Sequence, residues 1–116
     1  MKNYLAVYTG SPEAMDRWKS LGEAERKQKE EAGMKAWREW VAKTNNSIVY
    51  DGGPLGRTKQ VSRTGTADIR NGLAAFTVVR ADSHEEAARL FENHPHFTLF
   101  PGEGVEIMEV LPMPDI

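Results

Sequence analysis

An α+β domain, with one antiparallel sheet carrying its helices on one face, is predicted by three features of this 116-residue sequence. Strand-like and helix-like segments follow one another in the order strand, long helix, strand pair, helix, strand. Both helix starts carry capping residues, Ser11 before Pro12 and Ser83 before His84-Glu85-Glu86. The strand segments either alternate in polarity or run apolar, as half-buried and central strands do. That order is the ferredoxin-like split βαβ pattern. The length suits a single domain over residues 1–116 with one hydrophobic core.

Each element has a local reason. Lys2 to Thr9 is aromatic and β-branched enough for a strand, with Leu5 and Val7 on one face and Tyr4, Ala6 and Tyr8 on the other. Ser11, Pro12 and Glu13 then supply a hydroxyl cap, a proline whose missing N–H is harmless at a helix start, and an acid near the positive dipole end. Helical signal runs to about Lys43, with Met15 and Trp18 on one stripe and Met34, Trp37 and Val41 on another. Gly22 and Gly33 are expected to break or bend it. Trp40 falls off the Trp37 stripe and is expected to face a cleft or a partner.

After Asn45 and Asn46 come Ile48 to Tyr50 and then DGGPLG, read as a turn. Lys59 to Ser62 reads as a short strand and TGTADIRNG as a loop. Leu73 to Ala81 is rich in Val and Phe and reads as a buried central strand. Ser83 and Glu86 make a capping box, and the helix stripe Ala87, Leu90, Phe91, His94 ends at Pro95. Val105 to Leu111 is the last strand.

The sheet face away from the helices needs a cover. Tyr4, Ala6 and Tyr8 on the first strand, with either Met108 and Val110 or Val105 and Ile107 on the last, make both faces too apolar for water. A two-fold homodimer with sheet against sheet is therefore expected.

Composition excludes several functions. There is no Cys, so thiolate catalysis, Cys-ligated zinc and disulfides are out. The net charge of −2 divides unevenly: residues 57–70 hold four bases and one acid, and residues 82–116 hold eight acids and one base. No nucleic-acid partner is expected, because such surfaces carry a larger positive excess with aromatic rings interleaved. No run approaches the ~20 apolar residues of a membrane helix, and MKNYLAVYTG lacks a signal-peptide core and cleavage site. A cytoplasmic location without membrane contact is expected.

His94 and His96, flanking Pro95, are the most chemically suggestive residues. His94 lies on the apolar stripe of its helix, where burial would keep it neutral. Two roles fit it there: a base, or a structural group bonded to a carbonyl at the helix end. His-x-His offers two metal ligands without a near third, so neither a metal nor a cofactor is expected. GGPLGRT is not a phosphate loop: the glycine spacing is one short, Arg57 stands in place of Lys, and a strand follows. Lys59, Arg63 and Arg70 form a small basic cluster, one member of which could clamp an anionic ligand.

GGPLGRTKQVS, LAAFTVVRADSHEEAARLFENHPHF and VEIMEVLPM, in that order and spacing, resemble the YCII-related family close to its DGPF-type members. The resemblance covers nearly the whole chain. It implies a dimeric α/β barrel built from ferredoxin-like protomers, and Asp51 with the Gly-Gly-Pro turn and Glu109 at or near the cleft. Some members are thought to pair Asp with a His in the helix after the first strand for lyase or dehalogenating chemistry; residues 12–43 contain no His, so that dyad is absent. Together these readings give a homodimer with a cleft for a small polar or anionic ligand. His94 is its acid–base group for weak lyase or hydrolase-like activity, and His96, Asp51, Lys59 and Tyr4 contact the ligand. The alternative is a non-catalytic dimeric module acting through a protein partner, with Trp40 and the polar segment Arg26 to Glu31 turned outward.

Overall fold

A computed structural model describes residues 1–114. Its order is β1 (Lys2–Gly10), α1 (Pro12–Lys19), α2 (Glu23–Thr44), a short 3-10 turn (Asn45–Ser47), β2 (Ile48–Pro54), β3 (Thr58–Ser62), β4 (Gly65–Ile69), β5 (Leu73–Ala81), α3 (His84–Arg89), α4 (Pro95–Thr98) and β6 (Gly102–Glu109). The main sheet runs β2-β5-β1-β6, antiparallel throughout, and β3 and β4 form a separate hairpin. With that hairpin set aside, the strand order is the ferredoxin-like one, as the sequence predicts.

Alternation on β1 decides which side is core. Tyr4, Ala6 and Tyr8 are buried beneath the helices with Val79, Ala81, Ala87, Phe91 and Trp40. Leu5 and Val7 face the other way, opposite Val78 and Phe76 on β5 and, for Leu5, Met108 on β6. That second face has no covering layer among the described residues: the molecule is only 18 Å thin along its shortest axis, enough for one sheet and one helical layer at a spacing of about 10 Å.

Several elements differ from expectation for identifiable reasons. The long helix is two helices: it breaks at Gly22, which precedes α2, and continues through Gly33 without a break. Gly33 is there for a close approach, since a Cβ at that position would come within 2.5 Å of the Phe100 ring. That contact outweighs the roughly 1 kcal/mol a mid-helix glycine costs relative to Ala. DGGP is strand rather than turn. β2 pairs with β5 through two register shifts, and Gly52 takes φ +68° inside the irregularity. TGTADIRNG is not a loop, because Gly65 to Ile69 pairs residue for residue with Thr58 to Ser62. The last strand begins at Gly102 and ends at Glu109, earlier than expected.

The second helix stops at Arg89, short of His94, because Asn93 adopts the left-handed φ of 57° and Pro95 holds His94 extended. Trp40 borders a cleft, as one of its two expected positions has it, and is not turned outward to a partner. It is 9% exposed, and its indole N–H donates to the Leu90 carbonyl at 2.7 Å, tying α2 to the end of α3. The Ser83 cap does form, its hydroxyl accepting from the Glu86 N–H at 3.1 Å. No helix among the described residues is long and apolar enough to cross a membrane.

The Trp40 bond gives a direct test. Trp40→Phe keeps most of the ring burial and leaves the Leu90 carbonyl unpaired, so stability should fall by about 1–2 kcal/mol, measured by urea unfolding. An unchanged midpoint would show that water replaces the bond.

Candidate active site

The candidate site is built on one turn and three strands. Pro95, at the first position of α4, fixes the chain so that His94 caps the helix and His96 lies in its first turn. His94 is fully buried, with its ring centroid 4.5 Å from Trp40, 4.6 Å from Trp37 and 5.1 Å from Tyr8. A buried neutral imidazole must pair both nitrogens, and it does. Nδ1 accepts the His96 backbone N–H at 3.0 Å, which leaves the proton on Nε2. Nε2–H then points to the Tyr8 hydroxyl at 3.5 Å, the outer limit of a hydrogen bond.

From Tyr8 the directions follow by elimination. Thr77 donates its only hydroxyl proton to the Asp51 carbonyl at 3.2 Å, so it must accept from Tyr8 at 3.1 Å. Tyr8 therefore donates to Thr77 and accepts from His94. The result is a one-way chain from α4 through β1 and β5 to β2. Burial pushes the Tyr8 hydroxyl up to about 12 against the opposing Thr77 bond. It pushes His94 down to about 4, helped by the nearby charge of His96.

His96 is arranged differently. Its Nε2–H donates to the Thr9 carbonyl at 2.7 Å, so the neutral ring has its lone pair on Nδ1. His96 is only 8% exposed, yet no sealed side-chain nitrogen or oxygen among the described residues lacks a partner. Nδ1, which makes no hydrogen bond, is therefore open to the cavities that His96 lines. Burial lowers the His96 pKa, opposed by the Thr9 bond. A neutral imidazole anchored at one nitrogen and open at the other is the usual form of a general base.

Two cavities meet at His96. One, of about 490 Å³, is an apolar cleft walled by Tyr8, Met34, Trp37 and Phe100, with Thr77 and Asp51 at its polar edge. The other, of about 550 Å³, is charged, with Asp16, Lys19, Glu30 and Arg70 around it. The cleft has the size and mostly apolar character of small-molecule sites.

Of the residues singled out in the sequence, the structure brings His96 and Asp51 to the cleft and leaves three elsewhere. His94 lines neither cavity and has both nitrogens engaged, whereas His96 lines both cavities and keeps one nitrogen without a hydrogen bond. Tyr4 is core, 1% exposed and stacked on His84 at 5.4 Å. Lys59 stands on the exposed hairpin, paired with Asp68 at 2.7 Å. Sequence reasoning missed Tyr8, Thr77, Trp37 and Phe100. Tyr8 and Trp37 were legible as apolar-stripe residues, whereas nothing local marks Thr77 or Phe100. Among the described residues no three His, Cys, Asp or Glu side chains come together to hold a metal.

No family model matches the chain, and no curated protein matches it. Among solved structures the chain is similar to 5-chloro-2-hydroxyhydroquinone dehydrochlorinase (TftG) from Burkholderia phenoliruptrix AC1100, in complex with 2,5-dihydroxybenzoquinone. The TM-score is 0.54 at 16% identity, over 91% of this chain and 90% of that one. At that identity the likeness is one of fold.

Burial of His94 makes stability depend on pH. Its folded pKa of about 4 lies below the 6.5 of a free histidine, so between those values the unfolded chain binds the extra proton. Stability should then fall as pH drops, by about 3 kcal/mol from this group between pH 7 and pH 4; the downward shift of His96 acts in the same direction. In His94→Asn, which keeps a capping acceptor without a titrating ring, the wild-type-minus-variant stability difference from urea unfolding should shrink on acidification. A difference independent of pH would refute the linkage.

Proposed function

We propose that the chain binds a small hydroxylated ring compound in the aromatic cleft and withdraws a proton from it with Nδ1 of His96, as the opening step of a lyase-type reaction. The observation that carries this reading is the His96 ring itself. It is fixed through Nε2 to Thr9, its Nδ1 makes no hydrogen bond, and the ring borders the cleft together with Trp37, Tyr8 and Phe100. Aromatic walls suit a planar ring, and Thr77 and Asp51 offer polar groups to its substituents. Tyr8 is not the base, because its pKa is raised to about 12 and its hydroxyl already donates to Thr77. His94 acts as a positioning residue, holding the backbone of His96 through its Nδ1.

The fold neighbour is named for its action on a chlorinated hydroxyhydroquinone and holds a dihydroxybenzoquinone, which supports a ring of that chemical class here. Membership of the YCII-related family, suggested by the sequence resemblance, belongs to the same reading. So does the homodimer. The uncovered sheet face carries Leu5, Val7 and Val78, with Met108 42% exposed and Tyr50 60% exposed, an apolar surface that a second copy would bury by two-fold symmetry.

Two measurements test it. Titration with 2,5-dihydroxybenzoquinone or hydroxylated chlorobenzenes should quench tryptophan fluorescence saturably. His96→Gln should keep that binding within a few-fold while any turnover, followed by chloride release, falls by about 100-fold or more. Failure of every such ring to bind, or full turnover in His96→Gln, would overturn the reading. For the dimer, light scattering should give twice the protomer mass, with Leu5→Glu shifting it to monomer; a wild-type monomer refutes the homodimer.

A further inference from the structure

We propose that Phe100 sets the length of ligand the cleft accepts: its ring is the partition between the aromatic cleft and the charged cavity, and it excludes ring compounds that carry a long charged side chain. The inference rests on the reading of the cleft as a ring-binding site. Phe100 lines both cavities, together with His96 and Ala74. Its ring centroid lies 6.0 Å from that of Trp18, which borders the charged cavity, and 6.0 Å from that of Trp37, which borders the cleft. The third support is the backbone of α2. A Cβ at Gly33 would come within 2.5 Å of the ring, so only glycine at that position lets Phe100 sit where it does.

Beyond the partition, Arg70 and Lys19 stand among Asp16 and Glu30 and make no ion pair among the described residues. A charged tail that passed Phe100 would find opposite charges there. His96 is common to the two cavities, so such a ligand would keep its ring beside Nδ1 while its tail entered the charged space. Removing the Phe100 ring therefore lengthens the site. The proposed binding end at His96 would be unchanged.

Calorimetric titration of the full chain tests this with hydroquinone against two tailed phenols, 3-(4-hydroxyphenyl)propionate and tyramine, whose tails differ in charge. Wild type should favour hydroquinone. In Phe100→Ala the preference should move toward at least one tailed phenol by about tenfold. Phe100→Leu should move it less, and Gly33→Ala, whose Cβ displaces the ring, should also shift it. Circular dichroism establishes which variants are folded, and Phe100→Leu serves if Phe100→Ala is not. Wild type binding tailed and untailed rings equally, or folded variants with an unchanged preference, would overturn the role of Phe100. If none of the three phenols binds wild type, it is the ring-binding reading that fails.

Discussion

A polar ring sealed at zero exposure among four aromatic neighbours has to satisfy both of its nitrogens without carrying a charge, and the site around His94 is organised by that requirement. Because Nδ1 takes the His96 N–H, the ring proton is placed on Nε2. Because Nε2 is a donor, Tyr8 must accept from it and give its own proton to Thr77, and Thr77 must give to the Asp51 carbonyl. One tautomer thus fixes the direction of every link across four elements. The end of the chain, Asp51 in the irregular part of β2, is also the polar edge of the cleft. The same network that engages both nitrogens of His94 therefore also supplies the polar edge of the cleft that His96 lines.

The His96 ring depends in turn on backbone passing unusually close. A Cβ at Gly102 would overlap the imidazole of His96, and a Cβ at Gly33 would press on Phe100. Both side chains line the two cavities, so glycine positions in β6 and α2 decide where the cavity walls stand. Two glycines that look like punctuation in the sequence are space for aromatic rings in the fold. Gly22, by contrast, does what a helix-breaking glycine is expected to do, and α2 starts after it.

The sheet was legible because its signals are local. β1 and β5 declare themselves by alternation and by an apolar β-branched run, and Ser11 and Ser83 mark helix starts through short-range bonds to the N–H three residues on. The β3–β4 hairpin was only half legible: Gly65 supplies the positive φ that turns the chain, but Thr66 to Ile69 alternates over four residues only, with small Ala67 as one of its two apolar members and nothing but Ile69 even half-buried. Counting stripe positions put Trp40 at a cleft or a partner, and of the two the fold has the cleft. Its indole N–H needs a partner when buried, and the partner, the Leu90 carbonyl, lies 50 residues away. The site was legible only as far as His94, Pro95, His96 and Asp51. Which histidine faces the cavity is settled by Thr9, Tyr8 and Thr77, contacts that span 69 to 87 residues and leave no trace in local pattern.

The His-Pro-His order itself accounts for the division of labour once the turn is known. Asn93 ends the preceding helix in a left-handed conformation that Asn tolerates, and Pro95 both excludes helical geometry at His94 and opens α4. Residue 94 is thereby an N-cap, a position that favours a side-chain acceptor close to the backbone. Nδ1 of an imidazole stands where Oδ1 of Asn would stand, and it receives the N–H of residue 96 as an Asn cap would. The rest of the ring projects past the cap into the aromatic core. An ordinary capping residue would serve the helix alone; the imidazole serves the helix and also carries a donor to Tyr8. With 94 committed to capping, 96 is the histidine of the pair left with a nitrogen that makes no hydrogen bond.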